Sequence, residues 1–231
     1  MNHEVRTVFQ LYKTTTISFD CYGTLIDWQN GACCALRNIY AYSPSDATDD
    51  TLIELFLQAD ERMIRENVFP YSKVLQRAAR SVAENLGRPS NSALEVSFAR
   101  SLSTWPVFEE TNPCLAWLAA RYQLAIISNV DDDLLSQTLE QISAPVRVKV
   151  TSEQTKSYKP DRTIFERAVD LIGDPPANVV HIAEGRCEAT PARAVGMRSI
   201  WVNRTPRSDD GSNAKPHAVA SNLSQVVEAL S

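Results

Sequence analysis

The sequence predicts an α/β fold: a parallel sheet covered by helices on both faces, with a helical unit inserted after the first strand. Three observations predict it. Five short runs are rich in β-branched and apolar residues. Amphipathic helical patterns lie between most of them. One long stretch, residues 31–107, carries helices and no convincing strand. Strands that are apolar almost throughout are buried on both faces, as in parallel sheets, whereas half-solvated strands alternate.

Residues 14–19 (TTTISF) have the length and branching of a buried strand and run straight into Asp20-Cys21-Tyr22-Gly23-Thr24. Within the insert, residues 51–67 form a strong amphipathic helix pattern. Residues 71–86 form another, closed by Gly87 as a C-cap, and Ser90-Asn91-Ser92 open a third with N-cap residues. An insert at this place sits over the carboxyl ends of the strands, where open α/β sheets bind ligands, so a helical lid is expected. The domain reading is a core of residues 1–30 and 108–231 and a cap of residues 31–107. Residues 115–122 are helical, and residues 123–130 (QLAIISNV) are the second strand, ending in Ser128-Asn129 and three aspartates. Residues 131–142 place Leu134, Leu135, Leu139 and Ile142 at helical spacing. The third strand is 146–151. Residues 162–172 follow with Ile164, Phe165, Ala168 and Leu171 on one face, then strands at 178–183 and 198–203. The polar stretch 205–215 is expected to be mobile, with no function implied.

Composition excludes several classes. Of 231 residues, 44% are hydrophobic and 22% charged, too apolar for a disordered chain, and 7 glycines with 12 prolines do not suit a collagen or low-complexity protein. The net charge of −5 and pI of about 5.3 argue against nucleic acid or an anionic membrane as partner, while a local positive site could still hold a small anionic substrate. Five cysteines without a CxxC pair, and three histidines in all, do not suit a zinc cluster; scattered thiols fit a reducing compartment. The first sixteen residues lack the apolar core of a signal peptide, and no apolar run approaches the roughly 20 residues that span a bilayer, so a cytoplasmic protein is expected.

Four polar constellations end at or just after predicted strands: Asp20 with the turn at Gly23-Thr24, Ser128-Asn129, Tyr158-Lys159-Pro160-Asp161, and residues 184–188 (EGRCE). Each has an ordinary structural explanation: a turn aspartate, turn chemistry, a solvated lysine, a charged loop pairing with Arg186 or Arg193. Taken in order they converge on one crevice. They offer a carboxylate nucleophile, hydroxyl and amide donors, a cation, and a base for water.

These segments also resemble the four ordered motifs of the haloacid dehalogenase superfamily. Residues 19–27 (FDCYGTLID) resemble the first motif, in a form most similar to the L-2-haloacid dehalogenase branch. Ile126-Ile127-Ser128-Asn129 resembles the second, Ser157-Tyr158-Lys159-Pro160-Asp161 with Phe165 the third, and residues 180–188 continuing to 196–204 the fourth. The resemblance implies a Rossmannoid core with a helical cap and a covalent aspartyl-ester mechanism. It implies Asp20 as nucleophile, Thr24 and Ser128 holding it and the substrate, and Asn129 at the leaving group or substrate carboxylate. Lys159 would keep Asp20 ionised, and Glu188 would activate water. Cys21, Tyr22 and Phe165 join the expected substrate-binding set. At about 4 Å, a lysine supplies roughly 4 kcal/mol of raw Coulomb energy at an effective dielectric of 20, before desolvation.

Tyr22 discriminates between activities. Phosphatases of the superfamily carry there a second aspartate that protonates the departing alkoxide. A phenol with a pKa of about 10 is a poor acid at neutral pH, whereas a halide leaves without a proton. Three departures complicate the likeness. The branch's carboxylate-binding arginine would fall near Leu57, and none precedes Arg62 and Arg65. The fourth motif has Ala183, Glu184, Gly185 and Glu188 in place of a Ser/Asn-rich loop and an aspartate. Phe165 lacks a tyrosine's hydroxyl. Arg186 is a candidate replacement clamp, and Cys187 has no assigned role. Three readings stay open: a cofactor-free hydrolase of a small organic acid such as a 2-haloacid, a magnesium phosphatase using Asp20, the Tyr22 carbonyl and Glu184, and a binding protein that kept the fold and lost the chemistry. Phe56, Tyr71, Phe98 and Trp105 are candidate lid-facing groups that read first as core packing. A homodimer is expected from the resemblance.

Overall fold

Each run read as a strand forms one, shortened by one or two residues where its polar end leaves the ladder. The computed structural model describes residues 2–10, 13–67, 69–204 and 213–231; of the polar stretch 205–215, residues 205–212 lie outside the described residues. In chain order the elements are α1 (Asn2–Gln10), β1 (Thr16–Phe19), α2 (Trp28–Tyr40), α3 (Asp49–Arg65), α4 (Tyr71–Asn85), α5 (Ser92–Ser101) and α6 (Thr111–Ala119). Then come β2 (Gln123–Ser128), α7 (Asp132–Thr138), β3 (Val148–Thr151), α8 (Ser152–Thr155), α9 (Arg162–Ile172), β4 (Val179–Ala183), α10 (Ala189–Ala194), β5 (Arg198–Val202), β6 (Ala218–Ala220) and α11 (Leu223–Leu230).

The strands form one parallel sheet in the order β3-β2-β1-β4-β5-β6. β1 is buried along its whole length at the point where the strand order reverses. The residue that follows it therefore emerges at the switch point, between the carboxyl ends of β2 and β4. A small core of Ile127, Val150, Ile164, Phe165, Ala168 and Met197 lies toward α9. The main cluster continues from the sheet into the insert, where Leu36, Leu52, Phe98 and Leu102 are at most 1% exposed. Each such side chain contributes roughly 1.5–3 kcal/mol of burial.

Five helices, α2 to α6, lie between β1 and β2, and the first four, α2 to α5, are followed by the 3₁₀ turn Leu102–Thr104. The edge expected at residue 30 falls inside α2, whose N-cap is Asp27, its carboxylate accepting from the Asn30 N–H at 3.2 Å. Gly31 makes room for Trp105: a Cβ there would lie 2.3 Å from the indole. The first turn of α4 is capped from outside its own helix. Pro70 has no side-chain oxygen to offer, and the N–H groups of Tyr71 and Ser72 donate to the carboxylate of Asp131, just beyond β2, at 2.6 and 2.8 Å. That satisfies two otherwise orphaned donors and fixes the insert over the sheet's carboxyl edge. Six elements had no sequence prediction: α1, α2, α8, α10, β6 and α11. β6 is three residues long, too short for its pattern to be distinctive. Among the described residues no helix is long and apolar enough to cross a membrane.

Candidate active site

Asp20 follows the last residue of β1, and its N–H donates to the Ile182 carbonyl of β4 at 3.0 Å. The turn after it needs Gly23, whose φ of 101° strains any L-residue. This turn aims the Thr24 hydroxyl back at Asp20 Oδ2, to which it donates at 3.0 Å, while Thr24 Oγ1 itself accepts the Glu184 N–H at 2.8 Å. Arg204, from beyond β5, holds the turn by donating to the carbonyls of Gly23 and Thr24 at 3.1 and 2.6 Å.

Lys159 is buried, so the solvated-lysine explanation fails. Its ammonium donates to Asp20 Oδ1 at 2.5 Å, Glu188 Oε2 at 2.9 Å and the Ile127 carbonyl at 3.0 Å. Three N–H donors meet three acceptors, which leaves none for a substrate. The backbone of Lys159 is gripped by Asn129, whose Oδ1 accepts its N–H at 2.7 Å and whose amide donates to its carbonyl at 3.2 Å. Asn129 thus anchors the lysine loop, a use the sequence did not suggest. Ser128 lines the cavity with a buried hydroxyl that has no partner among the described residues.

Two buried carboxylates share this one cation. Burial pushes the Asp20 carboxyl up; Lys159 opposes it, and the Glu188 charge pushes it further. Glu188 is held below the ordinary carboxylate range, because Lys159 and His181 outweigh its own burial. Lys159, expected to keep Asp20 ionised, divides its charge between Asp20 and Glu188, and burial offsets much of its effect on Asp20. Lys159 itself is raised, the two carboxylates overcoming desolvation.

Above this floor lies a cavity of about 180 Å³, small beside the ~300–1,000 Å³ of drug-sized sites. Trp28, Phe56, Leu57, Ile64 and Trp105 give it an apolar wall, and Tyr71 with Asp60 a polar one. Phe56, Tyr71 and Trp105 thus face the cavity, while Phe98 packs behind Phe56 and Trp105 at ring distances of 5.6 and 6.1 Å. Among the described lining residues no arginine occurs. Leu57 occupies the wall, and Arg62 and Arg65 turn outward to Ser81 and Glu61. Arg186 lies over the Trp201 ring at 5.5 Å, outside the lining. On the inner face stands Asp60, which accepts the Tyr71 hydroxyl at 2.9 Å and is pushed up to about 7 by burial.

Two expected substrate contacts are corrected. Cys21 and Phe165 are fully buried outside the cavity. Cys21 follows the alternation of β1 into the core, and burial pushes its thiol up. Phe165 packs edge-on against His181, centroids 5.2 Å apart. Thr24 reaches Asp20 and is absent from the lining, so it holds Asp20 without facing the cavity. Tyr22 does line the cavity, its hydroxyl donating to Thr138 at 2.8 Å and its phenol held well above 10 by burial.

Of the residues named for magnesium, Asp20 gives one oxygen to the Lys159 ammonium and the other to the Thr24 hydroxyl, and no group of three His, Cys, Asp or Glu side chains placed to hold a metal ion occurs among the described residues. Sequence reasoning missed Asp60, Asp131, His181 and Arg204 as builders of the site. His181 carried a signal: a polar residue in the middle of an apolar strand, seven positions before Glu188.

A family model for haloacid dehalogenase-like hydrolases matches residues 14–196. The (S)-2-haloacid dehalogenases of Pseudomonas fluorescens and Pseudomonas putida are each 23% identical, over 90% and 91% of this chain and 92% and 93% of theirs. The structure of the L-2-haloacid dehalogenase from Xanthobacter autotrophicus with chloropropionic acid covalently bound superposes with a TM-score of 0.81 at 17% identity, covering 94% of this chain and 98% of that one. An aspartate at the switch point, an ammonium against it and a family match over most of the sequence agree: the chain belongs to the haloacid dehalogenase-like hydrolases.

Proposed function

We propose that the chain is a dehalogenase of small organic acids, with 2-haloacids as first substrates, working through an ester on Asp20. In the first half, an Asp20 oxygen attacks the carbon bearing the halogen; the C–O bond forms as the carbon–halogen bond breaks and halide leaves. In the second half, water attacks Cγ of Asp20 while Glu188 takes its proton. The tetrahedral intermediate expels the hydroxy acid, which recovers that proton. Thr24 and Lys159 orient the nucleophile, the apolar wall lines the cavity in which the ester forms, and Ser128 offers its unused hydroxyl to the substrate.

The observation that carries this reading is Tyr22. Its proton is committed to Thr138, because the Thr138 hydroxyl already donates to the Leu134 carbonyl at 2.9 Å. A phosphate ester needs an acid for its alkoxide at that place; a halide does not. The covalent adduct in the Xanthobacter relative supports the same route. The family's nucleophile, the cap role of the helical insert, the homodimer and the cytoplasmic location belong to this proposal.

Single turnover in oxygen-18 water tests it. Label is expected in Asp20 after the first turnover and in product only later. Label entering product directly excludes the ester. Halide and phosphate release assayed in parallel, with and without chelator, separate dehalogenase from phosphatase, and no adduct across either panel selects the non-catalytic reading.

A further inference from the structure

We infer that His181 is the positioning residue that makes Glu188 a base for water, so that it acts on the second half of the reaction and not the first. The inference rests on the ester reading of Asp20. His181 sits in mid-β4, 1% exposed, in register with Ser18 of β1. Its Nδ1 is 3.0 Å from the Ser18 hydroxyl and its Nε2 is 3.0 Å from Glu188 Oε2. Phe165 holds the ring edge-on from the α9 side. An ionised carboxylate only accepts, so Nε2 carries the donated proton in either charge state of the ring.

The arrangement distinguishes the two oxygens of Glu188. Oε2 receives both His181 and Lys159, at 3.0 and 2.9 Å. Oε1 lies beside Gly185, close enough that a Cβ there would come within 2.9 Å of it, and Gly185 lines the cavity. A glutamate has three rotatable side-chain bonds, and one ammonium shared with Asp20 does not say which oxygen faces the substrate. A second donor on Oε2 does: it leaves Oε1 to accept a proton from water. Alkylation of Asp20 uses neither group, because halide departs without a proton.

Two variants test this with 2-chloropropionate as probe. His181→Phe removes the donor and keeps an aromatic ring for Phe165; His181→Gln keeps a terminal N–H. In His181→Phe, the first halide per site is expected at the wild-type rate. Steady turnover should fall by about 10²-fold, KM should fall with kcat, and the Asp20 adduct should accumulate by intact mass. His181→Gln is expected to recover a large part of the loss. Unchanged turnover in the Phe variant, or burst and steady rate falling together, overturns the inference. If the wild-type protein forms no Asp20 adduct, the ester reading has failed, and a measurement without substrate still decides on His181. The carboxyl carbon resonance of Glu188 should titrate at higher pH in His181→Phe than in wild type, with His181→Gln close to wild type; coincident midpoints remove the coupling.

Discussion

The floor and the wall of the cavity are built on opposite principles. On the floor, Asp20, Lys159, Glu188 and His181 form a buried chain whose partners are counted out: three donors on the ammonium, three acceptors around it. On the wall, Trp28, Phe56, Leu57, Ile64 and Trp105 are apolar, and the polar pair Asp60–Tyr71 stands among them. The floor is arranged for one reaction and tolerates little change, since a buried charge left without its partner is costly. The wall selects what fits, and its charge is the reverse of what a carboxylate substrate prefers once Asp60 ionises.

The largest expected effect breaks the floor. Asp20→Asn should lower halide release by about 10⁴-fold or more, with circular dichroism unchanged because Lys159 keeps Glu188. Lys159→Met should leave two buried carboxylates without their cation, cost about 3–5 kcal/mol in denaturant unfolding, and raise the pH at which they ionise. A melting curve superimposable on wild type would contradict the shared-cation account. Gly185→Ala should press on Glu188 Oε1 and slow ester hydrolysis about 10-fold, as a displaced general base would, leaving the first halide burst intact.

The wall is tested through Asp60. With its carboxyl raised to about 7, it is neutral below that pH and anionic above it. KM for a 2-haloacid should therefore rise as pH climbs through 7, and Asp60→Asn should flatten the profile. The linkage has a definite sign. The folded state keeps the Asp60 proton to about 7 while the unfolded chain loses it near 3.8, so this group's contribution to stability declines as pH rises between those values. Asp60→Asn should accordingly raise the melting temperature more at pH 8 than at pH 4. The smallest effect lies on the outer face of the same helix: Arg65→Ala breaks an exposed pair with Glu61 and should cost under about 0.5 kcal/mol, with kinetics unchanged.

Much of this was legible in the chain. The strand ends declared Asp20 and Ser128, because buried parallel strands are written as local apolar runs and whatever polar residue follows must face the crevice; Lys159, beyond β3 and α8, was found with the motif around it. Glu188 was found through its motif. Asn129 was found, and it lines the cavity, but its grip on the Lys159 backbone was not foreseen, since a ligand contact and a loop anchor call for the same amide. Phe165 and Cys21 were placed in the pocket although their burial depends on which face of α9 and of the β1 turn meets the sheet. Asp60 and His181 were passed over because their chemistry comes from neighbours on other elements, Tyr71 of α4 for one and Ser18 of β1 with Glu188 beyond β4 for the other.

Local pattern alone therefore determined the α/β class, the switch-point carboxylate and the long-range lysine, each encoded within a few consecutive residues. The third dimension decided how one ammonium is divided between two acids, which oxygen of Glu188 is left for water, and that among the described residues an acid, and no arginine, lines the cavity wall. Those outcomes depend on distances of about 3 Å between residues up to 139 positions apart, as between Asp20 and Lys159. No periodicity in a single chain records such distances, because hydrogen bonding and desolvation are set by what surrounds a group after the elements have packed.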